Sequence, residues 1–411
     1  MGALRFTAIA PILVILYSLG FTNLFLRSNF GVMTPDLARE LALEPAALST
    51  VASAYFFAYA AMQVPTGILL DRFGSRRTIA ALLLFTAIGT ALFAVGTSAS
   101  TLTLARLLMG FGCAGIFTGA FYVLAHWLES DRVVTQVGAL NSFSSLGALC
   151  ATTPFAMLIA AIGWRESYWL FTAFVALLTL AVAALLRDAP PDRTPPPVRP
   201  QGFVTAVAGV LEALRQPGMR RLLVAGLPMS SAGTIAGVWG APYLQDVHAL
   251  DDIGRGNVLL AMAASAIVGH FLHGQIARRL NTLKGMILAG SCVIFLATAM
   301  LALIERPPLT LVVVLFCLIG LSGAFPAVAH AHTRGLVAPH LVGRGISLTN
   351  MGIMAAVAFM QLVFGWIIGA FAHGSAAPPE QAYRAGFAAL AAAALLAIAI
   401  YAPVRDVRPR G

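Results

Sequence analysis

Apolar runs of about twenty residues, broken by short polar stretches, recur along the whole chain. They fall at roughly 8–33, 48–70, 78–97, 102–125, 136–160, 167–187, 219–244, 254–276, 285–304, 309–331, 346–371 and 382–402. A run of that length crosses a hydrocarbon core of about 30 Å as a helix, and a lone span must be helical because lipid satisfies no backbone N–H or C=O. The pattern predicts an all-α integral membrane protein with twelve transmembrane helices. The longest polar interruption, about 188–217, carries DAPPDRTPPPVRP, a proline-rich sequence suited to a linker. It divides the chain into an N-terminal six-helix bundle at 1–187 and a C-terminal one at 218–411. The opening MGALRF and its apolar run read as the first helix rather than a leader, since no small-residue cleavage site precedes the second span.

The halves repeat one another. A shift of 207 residues lays MTPDL (33–37) on GAPYL (240–244) and GILLDR (67–72) on GQIARR (274–279), so that Pro35 meets Pro242 and Gly67 meets Gly274. Parallel six-helix repeats are the build of transporters whose substrate site lies between two rocking halves. Composition agrees: of 411 residues 59% are hydrophobic and 10% charged, with a mean hydropathy of +0.86. The net charge of +10 would suggest nucleic acid as a partner for a soluble protein. Here most Lys and Arg fall in alternate loops, and the positive-inside rule places both termini in the cytoplasm, on a cytoplasmic (inner) membrane. Four cysteines, Cys113, Cys150, Cys292 and Cys317, lie within spans without metal spacing and read as small core residues.

The loop GILLDRFGSRR (67–77) joins the second and third spans. Gly67 would permit close helix approach, Gly74 would turn the chain, and Asp71 can accept from helix-start amides or a guanidinium. With Arg72, Arg76 and Arg77 these residues resemble the signature G-x-x-x-D-R-x-G-x-R-R of the major facilitator superfamily. The resemblance implies its fold and a latching role for Asp71 and Arg72; the second-half copy has Arg278 and Asn281 at the key positions. LARLLMGFGCAG (104–115) resembles a second signature, R-x-x-x-G-x-G, and implies a gating or proton-transfer role for Arg106. The alternative is an arginine snorkelling from a helix end. GWRESYWLF (163–171) matches a structural pattern before the sixth span. SLGALCATTPF (145–155) stands where drug antiporters carry G-P-x-x-G-G, which counts against a drug exporter.

In LFLRSNFGVMTP (24–35) an arginine, Arg27, falls inside the first span. Placing it there costs about 2.5–3.5 kcal/mol at a helix centre, so such a residue faces a wet cavity or an anion. Tyr17, Gly20, Asn23, Arg27 and Gly31 share one stripe of this helix. R-x-N-F resembles the organic-anion branch of the superfamily, which implies that Arg27 contacts a substrate anion. In phosphate antiporters of that branch a second arginine comes from the seventh helix, where the repeat shift places Thr234. That favours a singly charged carboxylate over a phosphate. The alternative is an arginine near the outer interface that snorkels or pairs with Asp36 or Glu40, although Asp36 lies about 13 Å up the helix.

Tyr55, Tyr59 and Gln63 in the second span, and Trp239 and Tyr243 in the seventh, are candidates to share the cavity or to pack. Asn350 and Gln361 in the eleventh are candidates for interhelical hydrogen bonds. No Asp or Glu falls at the middle of a span, so the titrating candidates for coupling are His270, His273, His330 and His332. A phosphate-binding loop, a metal-ligand cluster and a soluble catalytic domain are absent from the sequence, so no cofactor and no enzyme activity are expected. The expected function is secondary transport of a small organic anion by proton symport or anion exchange, with the lipid bilayer, possible protons and the substrate as partners, in a monomer. The alternatives are export of neutral or amphipathic molecules and a non-transporting receptor or assembly factor.

Overall fold

The structure is a computed structural model describing residues 2–128, 130–190, 202–371 and 378–408, all of it helices and connections. The first span, α1, is Gly2–Ser28 continued by Phe30–Glu40 after a break at Asn29. α2 begins as Pro45–Ala61 and runs on, past Met62, into Gln63–Ala94. That last helix is not one rod. Gly74 has φ 76° and ψ 173°, and Thr78 Oγ1 donates to the Leu69 carbonyl at 3.0 Å, nine residues back. In a straight helix those groups would be about 13 Å apart. The chain reverses at Gly74, where only glycine adopts the backbone without strain, and α3 is the part beyond it.

α4 is Ala99–Cys113 with Ile116–Trp127, α5 is Ser130–Cys150 with Thr153–Ile162, and α6 is Trp164–Leu185. A linker helix, Phe203–Arg215, follows. α7 is built of Met219–Val224, Gly226–Thr234, a π-helical turn at Ile235–Trp239, and Gly240–Asp246. α8 is Asp252–Arg279, α9 Lys284–Leu303, α10 Leu309–Gly323 with Pro326–Leu336, α11 Val342–Phe371 and α12 Glu380–Tyr401. Among the described residues ten stretches are individually long and apolar enough to cross a membrane, eleven when the two parts of α5, bent by 45°, count as one. The expected twelve differ only at 45–94, where the seventeen residues of Pro45–Ala61 stop at Met62 and the turn at Gly74 completes two spans. Of the cysteines Cys113 is core, whereas Cys292 is exposed rather than buried.

Two bundles result, each clasped at the end that carries the linker helix, called here the linker face. Asp188, just after α6, accepts from Ser75 Oγ at 2.7 Å and from the Arg76 N–H at 2.8 Å, and Arg76 Nε donates to the Ala183 carbonyl at 2.9 Å. Asp406, just after α12, accepts from Thr282 Oγ1 and from the Leu283 and Lys284 amides at 3.2 and 2.9 Å. Burial alone would raise the Asp406 carboxyl, but these hydrogen bonds outweigh it and hold the group below the usual carboxylate range. Each acid caps the start of the third helix of its own half, which satisfies amides that no helical carbonyl reaches.

The opposite, far face is where the halves meet. A Cβ on Gly31 of α1 would stand 2.1 Å from the Ala236 carbonyl oxygen of α7. Gly365 of α11 lies against Ser49 and the Pro45 carbonyl of α2, and Gly256 of α8 against Thr153 of α5. Thr153 Oγ1 also donates to Asn257 Oδ1 at 2.9 Å. Nearby, Glu40 ties α1 to α6, accepting from Trp164 Nε1 at 2.5 Å and pairing with Arg165, which also donates to the Gly96 carbonyl at 3.2 Å. Burial pushes the Glu40 carboxyl up, but the bonds from Trp164 and Arg165 more than offset it and keep it low.

Toward the linker face the picture inverts. Gly67 and its repeat mate Gly274 have no atom within 4 Å of where a Cβ would stand, so the close approach expected at Gly67 is not made in this conformation. Both positions are open space on the linker side. A leucine at Gly67 is therefore expected to leave the fold intact in this state while hindering closure of the linker face. Gly67→Leu should keep an unchanged melting temperature and lose most of its transport rate; normal transport would show that nothing packs on Gly67 in any state.

Candidate functional site

Arg27 sits in the last turn of α1 before the break at Asn29, half-buried, with its guanidinium carbon 5.8 Å from the centre of the Phe56 ring. Among the described residues it meets no carboxylate. Asp36 is bonded to Arg39 at 2.7 Å and Glu40 to Arg165, so neither acid suggested as a partner is available to it. Gly31, one turn farther along, is the point where α1 crosses α7 at Ala236. Arg27 thus lies about 6 Å along the helix from the crossing that closes the far face.

The rest of the α1 stripe is committed elsewhere. Asn23 is buried and donates from Nδ2 to the Cys113 carbonyl at 2.7 Å, bracing α1 against the break in α4. Tyr17 bonds to Gln136 and stacks on Phe143 of α5 at 4.7 Å. Tyr59 is buried beside Asn23, and Tyr55 donates to the Asn23 carbonyl at 3.5 Å. Tyr17 and Asn23, expected as substrate contacts, thus have their polar groups engaged within the first half in this conformation. Arg27 alone in the stripe keeps its donors uncommitted.

Arg106 is 1% exposed, so it does not snorkel. Its Nη1 donates to the Leu26 carbonyl at 2.9 Å, and its guanidinium carbon lies 4.6 Å from the Tyr55 ring centre and 5.1 Å from that of Phe30. Nε has no partner. Asn29, also buried, accepts from the Tyr168 hydroxyl at 3.3 Å. A buried guanidinium held over two rings and a carbonyl at a helix break supports the break itself. Its acceptor, Leu26, is the residue directly before Arg27 on α1.

The second half presents neutral groups. Thr234 Oγ1, Ser231 Oγ, Trp239 Nε1 and Gln361 Oε1 are buried and have no hydrogen-bond partner. They gather at the π-helical turn of α7, where Gln361 Nε2 of α11 donates to the Gly233 carbonyl at 3.1 Å and the Trp239 ring stacks on Phe364 at 5.6 Å. A π turn widens a helix locally and recurs at functional sites. The repeat shift finds Thr234, but Ser231 and the π turn carry no sequence signal beyond the small residues of SSAGTIAG (230–237). Tyr243 packs among Phe316, Tyr383 and Phe387 with its hydroxyl 3.5 Å from His248, in the aromatic core of the second half that Trp239 also joins through Tyr383.

The histidines separate in the same way. His332 is buried, bonded to the Tyr401 hydroxyl at 2.5 Å and to the Arg405 carbonyl at 3.0 Å, and is structural. His273 is buried near Phe325, and His330 is half-buried with Nε2 unpartnered. His270 is exposed. In the loop 67–77, Asp71, Arg72, Arg76 and Arg77 are all exposed. Asp71 makes no hydrogen bond or ion pair among the described residues, Arg72 lies over its neighbour Phe73 at 5.3 Å, and Arg76 belongs to the Asp188 clasp. No group of three metal-binding side chains occurs among the described residues.

A family model described as Major Facilitator Superfamily matches residues 16–328. The chain belongs to the major facilitator superfamily. Members of this superfamily to which it is similar include a probable sulfoacetate transporter of Cupriavidus necator, 29% identical over 183 residues, 44% of this chain and 42% of that protein. A probable galactarate/D-glucarate transporter of Bacillus subtilis is 29% identical over 175 residues, 41% of this chain and 38% of that one. The alignments thus span under half the length of either relative. Among solved superfamily folds, the nucleoside transporter NupG superposes with a TM-score of 0.72 at 14% identity, covering 95% of this chain and 98% of that one. A bacterial homolog of the lysosomal transporter Spinster, inward-facing and occupied, gives 0.74 at 16%, covering 95% of each. These two likenesses concern the fold.

Proposed function

We propose that this superfamily member is a secondary transporter for a small organic anion, working by alternating access between the halves 1–187 and 218–411. The observation that carries the reading is Arg27, a half-buried guanidinium in the last turn of Gly2–Ser28 with no acid partner among the described residues. Such a charge is costly unless something anionic answers it, and its planar fork suits a carboxylate or sulfonate held by two hydrogen bonds. Thr234, Ser231 and Trp239 offer neutral donors from α7. The relatives' names, sulfoacetate and galactarate or glucarate, are of the same chemical class.

With the termini cytoplasmic, as the loop charges indicate, the cleft faces the cytoplasm and its ligand would be released there. Closure at Gly67 and Gly274 and opening at Gly31 and Gly365 would reverse the access. Reconstitution into liposomes tests the reading: radiolabelled sulfoacetate or a small monocarboxylate should accumulate, and uridine should not compete. Transport of uridine without transport of either anion would overturn it. Imposing a pH gradient on liposomes empty of anion distinguishes symport, which proceeds, from obligatory exchange, which does not.

A further inference from the structure

α5 is broken where α1 and α6 flank it. Its two parts, Ser130–Cys150 and Thr153–Ile162, meet at 45°, and beside that bend the three helices leave a crevice of about 280 Å³. Phe21 and Phe25 of α1, Cys150 and Phe155 of α5, and Phe171 and Phe174 of α6 line it. The rings hold one another in place: Phe25 stacks on Phe171 with ring centres 4.4 Å apart and meets Phe155 edge-on at 5.1 Å. Phe25 and Phe155 are buried at the base, whereas Phe174, Leu170 and Pro154 at the rim are exposed. Along α6 the crevice runs from Ser167 to Phe174, about 5 to 15 Å from the Trp164 end, a depth that belongs to the hydrocarbon.

Water has little to hold it there. The Ser167 hydroxyl donates to the Gly163 carbonyl at 2.6 Å, and Cys150 adds only a thiol, a weak partner. The rim continues into the exposed apolar face of α6, with Trp169, Leu170 and Leu177, which in a multi-pass membrane protein is turned to lipid. A void left empty beside hydrocarbon forfeits dispersion contacts along its whole lining. The crevice also backs onto a crossing between the halves. Thr153, directly before Pro154, donates the hydrogen bond to Asn257 of α8, and its Cα stands 3.0 Å from where a Cβ on Gly256 would be.

We propose that one acyl chain of a membrane phospholipid seats in this crevice as a wedge behind the bend of α5, and that it favours the far-closed state. The chain holds the outer segment of α5 at the angle that brings Thr153 to α8. When the far face opens, Thr153 leaves Asn257, the segment is released and the crevice loses its shape. Chain binding and far-face closure therefore favour each other reciprocally. The identity of the transported substrate does not enter.

The test uses the full-length protein, delipidated in detergent, with the native cysteines replaced and position 150 made alanine or phenylalanine. Titration with palmitoyl-oleoyl phosphatidylcholine, read by mass spectrometry of the intact protein, should show one lipid bound to the Cys150→Ala protein well ahead of any other. Cys150→Phe, whose ring fills the crevice, should bind that first lipid at least about tenfold more weakly, a loss that two buried methylene groups account for. Leu158→Trp fills the crevice from a second position and should act alike, so a variant that fails to fold leaves the other to decide. Coupling is read with Thr153→Cys and Asn257→Cys. Added lipid should speed their cross-link several-fold in the Cys150→Ala background, and Cys150→Phe should cross-link at the faster rate with no lipid added. A first lipid that binds the filled and unfilled proteins equally overturns the site. A cross-link rate indifferent to lipid in the Cys150→Ala background overturns the coupling.

Discussion

Arg27→Ala is expected to weaken organic-anion binding by about 100-fold or more without lowering the melting temperature of the empty protein. Two charge-assisted hydrogen bonds, at about 1.5–3 kcal/mol each, set the lower bound on the loss. The second half of the expectation follows from burial. Arg27 has no acid partner, and its only described contact of note is with the Phe56 ring. Removing an uncompensated charge that costs about 2.5–3.5 kcal/mol in the membrane relieves the fold. Arg27→Lys keeps the charge and loses the planar fork, and should fall between the two. Thermal shift and calorimetry on the three proteins, with and without sulfoacetate, measure both halves. A marked drop in melting temperature of the empty alanine variant would show Arg27 to be a structural brace.

Gly31→Val should move the protein out of the far-closed state. A Cβ at Gly31 would stand 2.1 Å from a backbone oxygen of Ala236, and backbone cannot rotate aside as a side chain can. The variant folds because its own half is untouched, but the crossing of α1 and α7 that seals the far face is sterically blocked. Thr153 and Asn257, hydrogen-bonded across the same face at 2.9 Å, supply the gauge. With the native cysteines replaced, Thr153→Cys and Asn257→Cys should cross-link readily in the wild-type background and at least tenfold more slowly with Gly31→Val. Equal cross-linking would mean that the far face closes by some route that does not need this crossing.

The span pattern carries most of the fold because lipid leaves the backbone few choices. What it hides are the breaks inside spans: at Asn29, at Met62, at Ala114 and in the π turn of α7. These depend on partners far along the chain, such as Arg106 reaching the Leu26 carbonyl from eighty residues away. Arg27 is legible because an intramembrane charge is costly wherever it points. The engagement of Tyr17 and Asn23 within the first half is not, since a polar group at the right helical phase looks alike whether it faces a cleft or a neighbouring carbonyl. Arg106 shows the same ambiguity: near a helix start it reads as interfacial, yet rings of α1 and α2 enclose it. The repeat shift, by contrast, identifies Thr234 and pairs Gly67 with Gly274, because equivalent positions in the two halves bear equivalent geometry.

Asp188 and Asp406 lie where the two halves stand apart, at the end that travels farthest when one half tilts against the other. Each fastens the tail of its sixth helix to the head of its third, so neither half can fan open as it swings. The displacement is thereby channelled to the glycine crossings between the halves, and each bundle moves as a stiff lever whose loose end is bolted.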